Sequence, residues 1–514
     1  MTRRVRSVVL ALFFFAWPGV LTSTAQPAKP AQPATVPLTI LHTNDTHGHL
    51  LPFSYPTLLP AGSAEAMLKE RTDIGGIARR ATLVRQIREQ AATRKTTVWL
   101  VDAGDFSDGT PLTTEYHGEA DIAAMNATGY DFATLGNHEF NNTFAEVRKL
   151  IGLAKFPMVS SNVTDATGKP LVQEYLVRTV GALRIGVFGL LTRETSTYPA
   201  AKEGVQIAGE VETARRMAAL LRPKVDIVIA LSHAGDELDN QIAAQVPGID
   251  VIVGGHSHSR LPVGEFVWRS EDLKAADVNG TVIVQAHQWG AELGRLDLLF
   301  ERDGRGAWHV DRYRARLLPV TSAIAEDAKV AAVVDQFWQP IAARYGEVVG
   351  QAAGDFSTRG DDEAACNLVA DAVRESYSTD IEIENVGGIR APLVKGQITR
   401  GDLIAVDPFV NTVVLFNITG RDLKRILAQH RPIVSGVRYR IEDRQLIEAT
   451  IDGRPIEDDH VYTGATNSFF AERALKGIEQ QDTKRLRLDV VVEYVRKKGT
   501  LKPVYDGRRV VIGR

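Results

Sequence analysis

The stretch LTILHTNDTHGH (residues 38–49) decides the reading. Its first half is a short apolar run, and its second half is a polar turn carrying Asp45 and His47. A continuous apolar run of this length reads as a strand buried on both faces, with the carboxylate and imidazole just past its end. The same pattern recurs in TTVWLVDAGD (96–105), DFATLGNHE (131–139), RIGVFGL (184–190), VDIVIALSHAG (225–235), IDVIVGGHSH (249–258) and TVIVQAHQ (281–288). Between several of these runs the apolar spacing is helical: Ile74, Ile77, Ala81, Val84 and Ile87 share one face over 74–94, and 211–222 follows suit. Strand alternating with helix predicts an α/β domain.

In open α/β sheets, sites form beyond the carboxyl ends of the strands. Asp45 and His47 follow the first strand, Asp105 the second, Asn137 and His138 the third, His233 the fifth, and His256 and His258 the sixth. Taken singly, Asp-Thr-His reads as a turn and Gly-Asn-His as a loop. Taken together, five of the twelve histidines stand at strand ends beside acid or amide partners, which scattered surface histidines explain poorly. Imidazole with carboxylate suits first-row divalent ions such as Zn, Mn or Fe, and suits Mg less well. His256 and His258 are alternate residues, which in extended chain point the same way.

The 514 residues are 44% hydrophobic and 24% charged, a folded composition long enough for two or three domains. A formal charge of −3 gives no general reason to bind a nucleic-acid polymer or an anionic membrane. With Cys366 as the only cysteine, an intramolecular disulfide and a thiolate-rich metal site are both excluded. Arg3, Arg4 and Arg6, the apolar run Val8–Leu21, and Ser23 and Ala25 before Gln26 form a signal-peptide pattern over residues 1–25. The run is short for a bilayer span and contains Pro18, so a stable membrane anchor is the weaker reading. Cleavage there leaves a periplasmic or secreted chain and takes the formal charge from −3 to −6. Whether export uses the general or the twin-arginine route stays open. Residues 26–36 read as a Pro/Ala-rich tether. Residues 322–346 read as a connector helix that Pro340 should kink or end. Residues 347–514 differ in character, with a helix over 363–376, a glycine loop at 385–390, a strand over 413–418 and a helix opening at Thr419–Gly420.

These blocks carry a resemblance. LHTNDTHGH (41–49), DAGDFSDG (102–109), LGNHEF (135–140), SHAG (232–235) and GGHSHS (254–259) resemble the ordered motifs of calcineurin-like dinuclear metallophosphatases. ACNLVADA (365–372), ENVGGIR (384–390), ITRGDL (398–403) and DPFVNTVV (407–414) resemble the C-terminal domain of the 5′-nucleotidase family. That family includes periplasmic UDP-sugar hydrolases and 2′,3′-cyclic-nucleotide phosphodiesterases. The resemblance implies an α/β fold: an N-terminal β-sandwich with flanking helices (37–321), the connector, and a second α/β substrate-binding domain (347–514). It also implies two divalent metal ions, one held by Asp45, His47 and His258, the other by Asn137, His233 and His256, with Asp105 bridging. Two cations ~3.5–4 Å apart polarise a phosphoryl oxygen and generate hydroxide near neutral pH, which would attack phosphorus in line. His138 would stabilise the transferring group or help protonate the leaving group, with Asn141 orienting its ring. For the second domain the resemblance implies Arg390, Asn367 and Arg359 at the phosphate, Phe409 and Phe469 as a clamp on the base, and Asn411 against the base. A rotation about the connector would carry the substrate to the metals.

Two departures bear on substrate. The family usually has aspartate where this chain has Asn141, which supplies no charge to His138; the cyclic-nucleotide phosphodiesterase branch is closer there. After ATNSFF the chain reads AERALKG, where the family has Gly-Gly-Asp-Gly and its ribose-binding aspartate. The expectation is a metal-dependent phosphoric ester hydrolase releasing phosphate from nucleotides, a small-molecule substrate. A cyclic-nucleotide 2′-phosphodiesterase/3′-nucleotidase, a UDP-sugar hydrolase and a non-catalytic nucleotide-binding protein are the alternatives; oligomeric state is open.

Overall fold

The computed structural model describes residues 35–56, 63–268, 280–304, 306–358 and 363–513. The leader reading and Arg359 lie outside the described residues. Among the described residues no helix is long and apolar enough to cross a membrane.

The opening run forms the strand Thr35–Thr43, so strand begins two residues inside the stretch read as tether. Val36 is held there by antiparallel pairing with Phe300. This strand is central to a six-stranded sheet in the order Trp308–Pro319, Glu292–Arg302, Thr35–Thr43, Thr97–Asp102, Phe132–Thr134, Met158–Val159. A second six-stranded sheet has the order Glu265–Val267, Thr281–Val284, Val251–Gly254, Ile227–His233, Leu183–Leu191, Tyr175–Val180. Side chains alternate across each strand, and both faces are apolar. Leu38, Ile40 and Val101 meet Ile227, Ile229 and Val253 in a core between the sheets. Val228 and Ala230 turn outward onto Ala214, Met217, Leu221 and Ile242. Leu41 and Leu100 turn outward onto Ile77, Val84 and Ile87. The helices that supply those outer residues are Ile77–Thr93, Glu210–Leu221 and Asp236–Gln245, giving helix, sheet, sheet and helix layers.

The strand pairs that matter for the site are parallel: Thr35–Thr43 with Thr97–Asp102, and Ile227–His233 with both Leu183–Leu191 and Val251–Gly254. Parallel strands gather their carboxyl ends on one rim, where the loops carrying Asp45, Asp105, Asn137 and His256 emerge.

The connector helix runs Ala328–Tyr345, with Asp327 accepting from the amides of Lys329 and Val330 at 3.1 and 3.2 Å. Of the two outcomes read for Pro340, a kink or an end, the end does not occur: the helix continues to Tyr345. Packing outweighs the lost backbone bond: Val330, Val334, Ile341 and Tyr345 bury in the N-terminal core, and Tyr116 donates its hydroxyl to Phe337 O at 2.9 Å, beside the interruption.

The C-terminal lobe centres on a five-stranded sheet in the order Ile433–Ser435, Ile381–Glu384, Val461–Asn467, Thr412–Thr419, Gln480–Leu486. Val414, Phe416 and Ile418 pack on Leu423, Ile426 and Leu427 of the helix Gly420–His430, which Thr419 caps. Cys366 and Val369 of the helix Ala364–Tyr377 pack on Val491, Val492 and Val495 of the helix Arg487–Lys498. The molecule is a mixed α/β, two-domain fold.

Candidate metal centre

Seven side chains from five strand ends meet at the rim. Three groups each bring one donor atom per residue within 4.8 Å of the others: Asp45, His47 and His258; Asp105, His233 and His256; and His47, Asp105 and His138. His47 Nε2 lies 3.1 Å from His258 Nε2, and both face Asp45 Oδ1, at 3.9 and 3.4 Å. On the other side, Asn137 Oδ1 is 3.0 Å from His233 Nε2 and 2.9 Å from His256 Nδ1. Asp105 Oδ2 stands between, 3.1 Å from His233 Nε2 and 3.9 Å from His47 Nε2. Asp105 thus lies beside both His233 and His47, between the group of Asp45, His47 and His258 and the group of His233, His256 and Asn137.

The outer ring nitrogens are held by oxygens. His233 Nδ1 is 2.7 Å from Ala103 O, His47 Nδ1 is 3.0 Å from Asp108 O, and His258 Nδ1 meets Gln288 Oε1. A ring whose Nδ1–H is taken by an oxygen turns a lone pair on Nε2 toward the centre, as metal-ligating histidines do. Burial holds His47 well below its ordinary pKa, and burial followed by the neighbouring His233 lowers His256 to about 4. Burial opposes charge on His233 too, but Asp105 and Asp45 raise it to about 10. Burial would raise Asp105, yet His233 and His138 hold it well below the carboxylate range. Buried carboxylates and imidazoles this dense, with ring nitrogens turned inward, fit divalent cations.

The backbone is bent to achieve this. Asp45 (φ 50°), His47 (46°), Asp105 (54°), Asp108 (72°), His256 (75°) and His258 (55°) are left-handed without being glycine. Such residues cluster at functional sites because the surrounding structure over-determines them. His256 and His258 are therefore not alternate residues of extended chain; the loop turns their rings to different partners. Gly136 permits close approach, since a Cβ there would fall 2.1 Å from Asp105 Oδ1.

Several supporting residues escaped the sequence reading. Glu139 accepts from the amides of Asp105 (3.1 Å), Gly136 (2.7 Å) and Ser107 (3.1 Å), tying together the two loops that carry Asp105 and Asn137. Asn137 Nδ2 donates to Tyr198 at 2.8 Å. Asp108 approaches His138: its Oδ2 is 2.8 Å from Nδ1, while Asn141 Nδ2 is 2.8 Å from the same Nδ1 and also bonds Asp108 Oδ2. Asn141 itself brings no charge to His138, but a carboxylate arrives from another loop. It lies only three residues after Asp105 in DAGDFSDG, and no local pattern tied it to His138.

From the C-terminal lobe, Arg390 reaches to 3.3 Å from His47 Nε2, so the two lobes stand closed on each other. A cavity of about 390 Å³ runs from Asp108, His138 and Arg390 to Phe409, Asn411 and Phe469. Phe409 stacks 6.2 Å from the His138 ring. The stretch that departs from Gly-Gly-Asp-Gly continues the helix Ser468–Ala474, and its Arg473 guanidinium lies 3.8 Å over the Phe469 ring and donates to Thr197 at 2.7 Å. Asn367 is buried, its amide donates to Val504 O at 3.1 Å, and it is not among the residues lining that cavity. A larger cleft of about 500 Å³ lies beside Leu38 and Arg94 and holds none of these residues.

Comparison with known proteins agrees with the geometry. Residues 38–260 match the calcineurin-like phosphoesterase family model, and residues 348–476 match the 5′-nucleotidase C-terminal domain. The chain is 29% identical over 499 residues to protein UshA of Yersinia enterocolitica, covering 85% of this chain and 86% of that one. It is 27% identical over 546 residues to a trifunctional nucleotide phosphoesterase protein of Bacillus subtilis, covering 92% of this chain but 34% of that protein's length. The crystal structure of a 5′-nucleotidase precursor from Thermus thermophilus superposes with a TM-score of 0.82 at 28% identity, covering 93% of this chain and all of that one.

Proposed function

The chain belongs to the 5′-nucleotidase family, a calcineurin-like phosphoesterase domain followed by a 5′-nucleotidase C-terminal domain, and on that premise we propose that it is an exported, two-metal nucleotide phosphohydrolase. Asp45, His47 and His258 would hold one cation, Asn137, His233 and His256 the other, and Asp105 both. Bound divalent cations supply polarisation of phosphoryl oxygens and a nucleophile at neutral pH.

The protein's own groups do the rest. The Arg390 guanidinium grips a non-reacting phosphoryl oxygen, as its planar fork suits. His138 presents Nε2 toward the transferring phosphoryl group and the leaving oxygen. Phe409 and Phe469 hold the base, while the closed lobes keep bulk water from the reacting phosphorus. The single observation that carries the reading is the approach of Arg390 to 3.3 Å from His47 across the lobes, which brings an anion-binding side chain to the ligand cluster. The N-terminal sequence supports export.

The test is phosphate release from AMP, 3′-AMP, 2′,3′-cyclic AMP and UDP-glucose by protein reconstituted with Mn or Zn. Turnover is expected with metal and not after chelation, with AMP as the best substrate. A metal-loaded protein inert on all four refutes the reading and leaves a nucleotide-binding protein.

A further inference from the structure

His138 is boxed by rings on three sides. His47 meets it edge-on at 4.9 Å, Tyr198 edge-on at 5.8 Å, and Phe409 stacks at 6.2 Å. Rings limit where the imidazole can go but leave open its rotation about the Cβ–Cγ bond, which swaps Nδ1 with Cδ2 and Nε2 with Cε1. The choice falls to the polar contacts at Nδ1, and both come from the Asp108–Asn141 pair. Asn141 alone leaves the choice open, because an amide offers a donor or an acceptor equally well. A carboxylate only accepts, so Asp108 Oδ2 at 2.8 Å requires a proton on Nδ1 and turns Nε2 toward Asp105 Oδ2, 3.9 Å away. Asn141 donates to the same Oδ2 and keeps it in place.

We propose that Asp108 is the positioning residue for His138, taking from a different loop the part that an acidic side chain at position 141 would play. The inference rests on the phosphohydrolase reading of His138. The geometry of the turn supports it. Asp108 sits at φ 72°, a conformation Asp and Asn tolerate better than other side chains, and the next residue is Gly109 at φ 138°, whose Cβ would fall 2.8 Å from His47 O. That bend lets one residue hold two rings: its carbonyl oxygen meets His47 Nδ1 at 3.0 Å while its carboxylate meets His138.

The test is an isosteric exchange. Asp108→Asn keeps the size and the tolerance of the left-handed backbone and removes the charge. It is expected to lower kcat roughly 10–100-fold, the usual effect of losing such a partner, with KM, bound metal and melting temperature unchanged. Adding Asn141→Asp returns a carboxylate to Nδ1 from the other arm, and most of the lost kcat is expected back; a merely structural role for Asp108 would not be rescued there. A readout independent of turnover is the proton spectrum of the metal-free protein. A deshielded ring N–H resonance is expected that vanishes in His138→Ala and in Asp108→Asn and returns in the double variant. Parent-like kcat in Asp108→Asn, loss of metal from it, or a double variant as slow as the single would overturn the proposal. If the parent shows no metal-dependent hydrolysis, the functional reading fails, and the resonance alone decides whether Asp108 positions the ring.

Discussion

Arg487 is the residue whose replacement tests most of the C-terminal lobe at once. It is fully buried, donates Nε to Asp407 Oδ2 at 2.7 Å, and reaches Asp407 Oδ1, Glu384 Oε2 and the carbonyl of Gly388 with its other nitrogens. Asp407 precedes Pro408–Phe409, Glu384 opens the loop leading to Arg390, and Glu384 Oε1 also accepts from Asn467, the cap of the helix carrying Phe469. One guanidinium thus ties all three segments proposed to read the substrate. Burial opposes its charge, but Asp407 and Glu384 raise its pKa and keep it charged. Arg487→Met removes the cation, keeps much of the volume, and leaves two carboxylates that are 0% and 1% exposed without their partner. Breaking a buried pair from one side costs about 3–5 kcal/mol. At about 2–4 °C per kcal/mol, melting should fall by about 10 °C. The proposed metal ligands all belong to the other lobe, so bound metal should be unchanged while KM for a nucleotide rises. Calorimetry, elemental analysis and steady-state kinetics on one preparation check all three. A variant melting within about 2 °C of the parent, with the parent's KM, would refute the idea that this guanidinium organises the reader.

Asp105→Asn is expected to lose bound metal and turnover together, read by elemental analysis and phosphate release, because its Oδ2 faces one histidine of each proposed ligand set, His233 at 3.1 Å and His47 at 3.9 Å. Phe409→Ala should raise KM for AMP roughly 10-fold through lost stacking and leave p-nitrophenyl phosphate, which has no base, unchanged. Asp239 is buried and pushed up to about 8 by burial, opposed by its bond from Ser232. A carboxyl raised above its unfolded value keeps its proton on folding. Its contribution is therefore full below about pH 4 and declines by ~1.4 kcal/mol per unit until about pH 8. Asp239→Asn should flatten that decline in melts across this range, and an identical pH slope in the variant would count against the burial argument.

The fold class and the candidate ligands were legible in the primary structure for one reason. Both depend on short-range pattern: apolar runs such as VDIVIAL need cover on two faces, and parallel strands put whatever follows them on a common rim. His233 and Asp105 stood out as candidates because metal-ligand chemistry favours few residue types and both stand at strand ends. Other features were decided only by tertiary packing. The connector helix survives Pro340 because Val334 and Ile341 are buried against the core, a gain that no local propensity contains. His256 and His258 leave extended geometry because Asn137 and Asp45 wait on different sides. Asp108 lies 30 residues from His138 in the chain, and Arg487 lies 80 from Asp407 and 103 from Glu384. Such pairings are set by how sheets stack and loops fold back, so the chain alone names the chemistry available at the rim, and only the packed structure determines which groups hold it in place.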